Sequence, residues 1–368
     1  MTKMIVIGAG VMGASVAYRL SQAGADVTVL EATRVGGGTS GISFAWTNAH
    51  RKPPKRYHDL NVGGMKAHAA LRDEFGATPW WHGGGSLEWE PESERAAQRE
   101  NVEQLQFWGY AAEWIDHKQV HELEPDIDPA AIGDAPVAYF SEEGWLDPVV
   151  YAHAMLAAAQ RRHGAKLICG ARVADLAITA DRVSGVRLAD GTLHEADMVV
   201  NCAGRWTNEA VRAAGLHLPL APTVGFLVFT PPVAVGLGRV VRTSVIDARP
   251  DGAGRLMLHW NPTDATLNFD TKLSPSMPEA RDLVQRARRL LPSIGDVEPE
   301  AVRIAIRPIP RDHLSAIGPV PRISGYYLAV THSGVTMGPF LGAAVADEVV
   351  RGVQRAELAD FRPARFFN

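Results

Sequence analysis

The chain begins with short apolar runs on either side of a longer segment with helical spacing. Met4–Ile7 is uninterruptedly apolar, as is typical of a strand buried on both faces. Ala14–Gln22 then places apolar residues four positions apart on one side, and Gly24 marks the end of that segment. Val27–Leu30 is a second apolar run. The start of the chain therefore predicts a strand–helix–strand unit.

The same patterns predict helices and then a group of strands up to about residue 202. Asp147 and Pro148 are suited to the N-cap and first position of a helix, and Gly164 follows its last residue. The predicted helices are Tyr57–Phe75, Ser93–Ile115 and Pro148–His163. The predicted strands are Lys166–Cys169, a hairpin of Val173–Ile178 and Val183–Leu188, and Met198–Cys202.

From Leu218 to Arg307 the pattern changes, and a succession of short strands is predicted. Strands and a single helix over such a stretch favour an antiparallel sheet domain separate from the first one. The predicted strands are Val224–Phe229, Val240–Ile246, Leu256–Trp260 and Leu267–Phe269, and the helix is Pro278–Leu291. Near the C-terminus, a strand ending in Leu328–Thr331 precedes a helix over Leu341–Val350. The fold class is α/β plus antiparallel β.

Composition narrows the possible functions. Hydrophobic residues make up 46% and charged residues 21%, as in ordinary globular proteins. The net charge is −4 and no basic run is interleaved with aromatic residues, so we expect no nucleic-acid partner. No apolar stretch is long enough to span a bilayer, and the N-terminus does not resemble a signal peptide, so we expect a cytoplasmic protein. Cys169 and Cys202 form no CxxC pair, and no HExxH spacing occurs, so we expect no metal.

The turn after the first strand has the spacing of a dinucleotide-binding loop. Gly8 permits the tight turn, Gly10 lets the backbone approach a pyrophosphate, and Gly13 lets the helix pack closely on the strand. The helix start, which includes Val11 and Met12, presents free N–H groups to the phosphates. Glu31 at the tip of the second strand is placed to bind a ribose diol. These features together predict a bound dinucleotide.

A second glycine-rich loop favours FAD over NAD as the bound dinucleotide. Val35–Gly41 follows the second strand directly, and its small residues Gly38, Thr39 and Ser40 leave room for the rest of a long cofactor. A typical NAD domain continues instead into further strand–helix units. The pattern therefore favours FAD, with an NAD-dependent dehydrogenase as a weaker alternative.

At this point the chain resembles the FAD-dependent amine and amino-acid oxidoreductases of the D-amino-acid oxidase superfamily. Glycine oxidase, sarcosine oxidase and bacterial D-amino-acid dehydrogenases belong to it. The resemblance extends in segments over nearly the whole chain. It is carried by the two glycine loops, by Asp197–Trp206, by Arg307–Asp312, by Gly325–Ala329 with His332–Gly334, and by Phe361–Phe366.

The resemblance implies a Rossmann-type FAD-binding domain interleaved with a mixed-sheet substrate domain. We expect the FAD-binding domain to comprise residues 1–85, 146–217 and 316–368, and the substrate-binding domain residues 86–145 and 218–315. The resemblance also implies which residues contact the cofactor. Beyond the glycine loops and Glu31, these are Ala32, Val173 beside the adenine, Ala203, Gly204 and Trp206, and Gly334, Val335, Thr336 and Met337 beside the flavin ring.

The resemblance also implies how the substrate is held. Arg307 precedes Pro308, and in glycine oxidase-like relatives an arginine in this context holds the substrate carboxylate. His259 and His332 are further candidate catalytic residues, while His50 and Trp260 are candidate substrate contacts. Arg51, Lys52 and Arg56 are weaker candidates for binding an acidic substrate.

Two departures from sarcosine oxidase affect these expectations. Ala301–Leu314 contains no cysteine, so we expect FAD to be bound non-covalently. Met257 stands where those enzymes carry the lysine that activates dioxygen, which leaves oxidase and dehydrogenase both open. The acceptor is then dioxygen or another molecule, and a homo-oligomer is possible.

The expected reaction is oxidation of the C–N bond of an amino acid or N-substituted amino acid. A hydride passes to flavin N5, and the imine is hydrolysed. One alternative is a FAD-dependent 2-hydroxy-acid dehydrogenase, which would need His259 or His332 as a base. Another is a flavin-bearing electron-transfer subunit without its own substrate.

Overall fold

The structure is a computed structural model that describes residues 1–212 and 215–367. The helices are α1 (Val11–Gln22), α2 (Lys55–Phe75), α3 (Arg95–Phe107), α4 (His117–Leu123), α5 (Pro129–Ile132), α6 (Pro148–His163), α7 (Asn261–Asp264), α8 (Pro278–Leu290) and α9 (Gly334–Val349). The strands are β1 (Lys3–Ile7), β2 (Asp26–Glu31), β3 (Trp46–Thr47), β4 (Trp81–His82), β5 (Ser86–Trp89), β6 (Glu113–Ile115), β7 (Val137–Phe140), β8 (Gly144–Leu146), β9 (Lys166–Cys169), β10 (Val173–Thr179), β11 (Arg182–Leu188), β12 (Leu193–Glu195), β13 (Met198–Asn201), β14 (Val224–Phe229), β15 (Val240–Thr243), β16 (Asp247–Pro250), β17 (Leu256–His259), β18 (Ala301–Ile306), β19 (Ala316–Pro319) and β20 (Tyr326–Val330).

The first sheet is the nucleotide-binding type that the opening sequence predicts. Its strand order is β19-β20-β13-β1-β2-β9, with β1 parallel to both β2 and β13. The central strands are apolar along their whole length because helices cover the sheet, and Val6 and Val29 are fully buried. Helices α1, α6 and α9 pack together over this core.

A close approach at the first turn explains why glycine occurs there. Gly8 has a φ of 95°, a conformation that favours glycine. A Cβ at Gly13 would lie 1.8 Å from the Gly8 carbonyl oxygen. Any side chain at Gly13 would therefore push α1 away from the end of β1.

The second sheet has eight strands in the order β18-β14-β17-β16-β15-β5-β7-β6. Its neighbours are antiparallel except for β15 and β5, so the sheet is mixed, as expected. Helix α8 covers one face with an apolar side that includes Leu283, Val284 and Ala287. A small sheet, β3-β8-β4, and a three-stranded meander, β10-β11-β12, complete the fold.

The strands of the first sheet come from residues 3–31, 166–201 and 316–330, and those of the second from residues 86–140 and 224–306. This membership follows the interleaved order of the predicted domains. The exact domain boundaries stay a prediction.

The sequence placed several elements correctly. Helices α2 and α6, the hairpin of β10 and β11, and strand β14 lie within about two residues of their predicted bounds.

Three other predictions were wrong. The helix expected over Ser93–Ile115 ends at Phe107, because Gly109 turns the chain with a φ of 77°, and an edge strand follows. Leu267–Phe269 is not a strand, since the Leu267 N–H bonds the Asp264 carbonyl and continues the turn after α7. Strand β15 ends at Thr243, whose hydroxyl accepts a hydrogen bond from the Ile246 N–H.

Helix α9 begins earlier than predicted. It starts at Gly334 rather than Leu341, so the predicted flavin loop is the first turn of this helix. Among the described residues, no helix is long and apolar enough to cross a membrane.

Candidate active site

Two adjoining cavities open at the carboxyl ends of the parallel strands. The first is bordered by the chain that follows β1, β2, β13 and β20, which is where open α/β sheets bind their ligands. The second lies between this edge and the eight-stranded sheet. The two cavities share Thr39, Ser43, Pro308, His332 and Val335.

Most of the predicted cofactor residues line the first cavity. They are Gly8, Gly10, Val11, Met12, Glu31, Ala32, Gly38, Thr39, Ser40, Val173, Ala203, Gly204, Trp206, Gly334 and Val335. Three others lie elsewhere. Gly13 lies beneath the loop, Thr336 lines the second cavity, and Met337 is fully buried in the core. The contact predicted for Met337 is therefore not found, because the helical first turn of α9 directs that residue inward.

Hydrogen bonds hold the two glycine loops together. The Val11 N–H donates to Ser40 Oγ at 3.1 Å, which joins the second loop to the start of α1. Glu31 accepts hydrogen bonds from the Ala9 N–H at 2.8 Å and the Thr33 N–H at 2.8 Å. Its carboxylate is thereby fixed at the rim of the first cavity. Gly10 at the N-cap of α1 has no side chain to cap the helix, so apart from the Val11 N–H its first turn is available to phosphates.

The start of α9 is held by an unusual hydrogen bond. Pro339 has no N–H, so the Val335 carbonyl four residues earlier cannot form its helical bond. His68 on α2 donates from Nε2 to this carbonyl at 2.8 Å. Burial lowers the pKa of His68 to about 4, so the ring is neutral. No sequence pattern indicates this role, because His68 and Val335 are distant in the chain.

Arg307 lines the second cavity, as predicted, within a charged cluster. One of its terminal nitrogens, Nη2, is paired with Asp264. His259 stands beside them, with Nδ1 3.0 Å from Asp247 and Nε2 3.0 Å from Asp264. Burial opposes protonation of His259, but hydrogen bonds to the two carboxylates raise its pKa. When the ring is protonated, both nitrogens donate to carboxylates.

Asp264 was missed by the sequence analysis. It lies in the short helix α7, and its Oδ1 accepts a hydrogen bond from the Phe226 N–H at 2.7 Å. No local pattern could have identified it, since its partners Phe226 and Arg307 lie on strand β14 and at the end of β18.

His332 and Lys52 also line the second cavity. His332 is exposed to the cavity space, yet protein surrounds it, and burial together with the charges of Lys52 and Arg307 lowers its pKa to about 3. Burial lowers the pKa of Lys52 to about 8, with Arg307 adding to the effect and Glu143 opposing it. Lys52 is therefore still mostly protonated at neutral pH, while His332 is neutral.

The other basic candidates are neutralised by nearby carboxylates. Arg51 lines the second cavity but is paired with Glu88 and Glu90. Arg56 lies at the surface, with its Nε 3.4 Å from Asp360 Oδ2.

Two predicted substrate contacts do not reach the second cavity. His50 is buried, with Nδ1 2.9 Å from Glu143 and Nε2 3.0 Å from Glu88. The Trp260 indole donates to the Ser244 carbonyl at 2.8 Å and packs under Arg286. Both side chains are held by partners behind the cavity wall. Within residues 1–212 and 215–367, no group of His, Cys, Asp or Glu side chains could hold a metal.

The two glycine loops and the cavity between them agree with a comparison to known proteins. The family model for FAD-dependent oxidoreductases of the DAO type matches residues 3–348. The chain belongs to this family. The protein is therefore a FAD-dependent oxidoreductase.

Curated DAO relatives match along almost the full chain. An uncharacterized oxidoreductase, YurR, of Bacillus subtilis is 26% identical, with 99% of each chain covered. The glycine oxidase of Geobacillus kaustophilus is 27% identical, over 98% of this chain and 96% of the relative.

Solved structures show the same fold. The L-proline dehydrogenase of P. horikoshii has a TM-score of 0.86 at 20% identity, covering 100% of this chain and 98% of that one. The glycine oxidase of Geobacillus kaustophilus has a TM-score of 0.84 at 24% identity, covering 99% of each chain.

The residues present suit a DAO-type FAD bound without a covalent link. The first cavity offers a free helix N-terminus, an acid at the rim and backbone loops without bulky side chains. Among the described residues that line it, the one cysteine is Cys202, and burial raises the pKa of its thiol. A buried thiol of this kind is not a nucleophile.

Proposed function

We propose that the protein oxidises the C–N bond of an amino acid or an N-substituted amino acid. The α-carbon loses a hydride and the nitrogen loses a proton, and water then hydrolyses the imine to an oxo acid and an amine. When bound, FAD supplies the hydride acceptor. The observation that carries the proposal is the position of Arg307 on the cavity that adjoins the FAD site.

Arg307 is built to hold a carboxylate. Asp264 fixes Nη2, whereas Nε and Nη1 have no hydrogen-bond partner in the part of the chain that the structure describes. A guanidinium can donate two parallel hydrogen bonds to a carboxylate. A Cβ at Gly225 would lie 2.8 Å from Nε, so this glycine leaves the space that the side chain occupies. The anchored arginine would fix the α-carbon of the substrate.

The same geometry favours an amine over a 2-hydroxy acid. A hydroxy acid needs a base for its hydroxyl proton, and an effective base has a pKa near the working pH. Both ring nitrogens of His259 are occupied by carboxylates, which raise its pKa, and the lowered pKa of His332 makes it a weak base. A neutral amine needs no such base.

A subunit that only transfers electrons is less well supported. The second cavity is lined by Arg307, Lys52 and His332, which such a subunit would not need. Membership of a FAD-dependent family leaves no basis for the NAD-dependent alternative. The electron acceptor is dioxygen or another molecule.

The test is to mix the purified holoenzyme with candidate substrates under anaerobic conditions and to measure the loss of the flavin absorbance. D-, L- and N-methyl amino acids should bleach the flavin, and 2-hydroxy acids should not. We expect Arg307→Met to raise the half-saturating substrate concentration about 10- to 100-fold, because the variant loses a charged pair of hydrogen bonds to the substrate carboxylate. Admission of air would then show whether dioxygen is the acceptor.

The matched control is Arg303→Met on β18, the strand that Arg307 follows, because Arg303 is exposed and lies outside the second cavity. Bleaching by hydroxy acids alone would contradict the proposal, as would equal effects of the two arginine variants.

A further inference from the structure

One charged group beside the second cavity lies outside its network of ion pairs. The basic members of the network are His50, Arg51, Arg242, His259 and Arg307, and the carboxylates are Glu88, Glu90, Glu143, Asp247 and Asp264. Each of these basic groups has a carboxylate partner. One further cation lines the cavity and is surplus to these pairs.

The surplus charge is that of Lys52. Within residues 1–212 and 215–367, its ammonium group makes no ion pair and no hydrogen bond, although it faces the cavity. Glu143 is the carboxylate whose charge acts most on it. The oxygens of Glu143 already accept hydrogen bonds from Trp46, Ala49, His50, Ser86 and Tyr110.

The remaining carboxylates are engaged as well. Glu88 and Glu90 are paired with Arg51 and Arg242. Asp264 is paired with Arg307. An ammonium group in a partly buried cavity is costly without an anionic partner. No carboxylate in residues 1–212 and 215–367 supplies that partner, whereas an anionic ligand in the cavity would do so.

Two separate sets of donors therefore face one cavity. Arg307 offers Nε and Nη1, and Lys52 offers its ammonium hydrogens. Their charges are close enough that Arg307 lowers the pKa of Lys52. A single carboxylate on Arg307 leaves the Lys52 donors unsatisfied.

We infer that the substrate is an amine with two carboxylates, one held by Arg307 and the second by Lys52. Acidic amino acids and N-carboxyalkyl amino acids have this chemistry. The second carboxylate of such a molecule supplies the anionic partner that Lys52 lacks among the described residues. The inference rests on the proposed function for the amine, while the two-carboxylate site can be tested by binding alone.

The first measurement uses ligands that cannot react. Malonate, succinate and glutarate are titrated into the oxidised holoenzyme and compared with propionate, butyrate and valerate, with the flavin spectrum as the readout. The best diacid should bind at least about tenfold more tightly than the monoacid of the same carbon number, because one charged hydrogen bond changes a dissociation constant by about that factor. Lys52→Met should reduce this ratio to near one, and Lys52→Arg should keep it.

The control is Lys55→Met, because Lys55 lies close by in the chain but is exposed and paired with Asp59. It should leave the diacid preference unchanged. A wild-type ratio near one would overturn the inference. An unchanged ratio of diacid to monoacid affinity in Lys52→Met would overturn it too. This holds even if that variant slows the reoxidation of the flavin by air.

Turnover separates this inference from the proposed function. If diacids bind selectively but no amine bleaches the flavin, the proposed reaction is wrong and the two-carboxylate site stands. If simple amino acids bleach it without any preference for dicarboxylic amines such as iminodiacetate or glutamate, the reaction stands and the inference is wrong.

Discussion

The two cavities are built from different materials. The first cavity, which we call the FAD cavity, is bordered by glycine loops and helix N-termini at the ends of neighbouring strands of the first sheet. The second cavity includes a group of charged side chains whose partners come from distant parts of the chain, such as Arg307 with Asp264. A backbone site depends on local conformation, whereas a side-chain site depends on which distant residues meet.

This difference predicts that the FAD cavity is the more sensitive to a change in local packing. Gly13→Val would place side-chain atoms against the Gly8 carbonyl and separate α1 from β1. We expect this variant to purify without FAD or to fail to fold. The measurement is the ratio of flavin to protein absorbance, together with far-ultraviolet circular dichroism.

Gly24→Ala is the matched control, because no atom lies within 4 Å of a Cβ at Gly24. Its φ of 94° should cost about 1 kcal/mol of stability, yet FAD should be retained. Retention of FAD by Gly13→Val would show that the close approach is not required.

In the second cavity, we expect a charge pair to control substrate binding without affecting the cofactor. Asp264→Asn would remove the charge that fixes Arg307 and one acceptor of His259. We expect KM to rise about tenfold or more while FAD stays bound, since a charged hydrogen bond contributes about 1.5–3 kcal/mol. Steady-state kinetics and the flavin content of the same preparation provide the two readouts.

The control for that variant is Asp270→Asn, because Asp270 is exposed and lies in the segment that follows α7. If Asp264→Asn lost FAD but kept KM, the contrast between the two cavities would be wrong.

A smaller effect is expected where the cavities meet. His68→Ala would leave the Val335 carbonyl without its donor and cost about 1–3 kcal/mol of the free energy of unfolding. Adding Pro339→Ala would supply an N–H four residues after Val335 and restore part of this loss. Thermal unfolding of the single and double variants measures the recovery.

Failure of Pro339→Ala to recover any stability in the His68→Ala background would mean that the lost carbonyl bond does not cause the defect. The Pro339→Ala variant alone serves as the reference for that comparison.

The sequence by itself determined the cofactor site and much of the fold. Gly8, Gly10 and Glu31 needed only the order of strand, turn and helix, because backbone geometry near one turn places them together. Arg307 was also identified, from its neighbour Pro308 and the family resemblance, and it lines the second cavity.

Only the tertiary structure decided which charges are free. His50 and Trp260 are aromatic and lie near the expected site in the chain, yet both are held behind the wall by Glu143 and Ser244. No sequence pattern marks Asp264. Lys52 is one of three weaker basic candidates, and only the structure distinguishes it from the paired Arg51 and Arg56. The physical reason is that a charge acts through its partners, and those partners are brought together by sheet pairing over long stretches of chain rather than by local pattern.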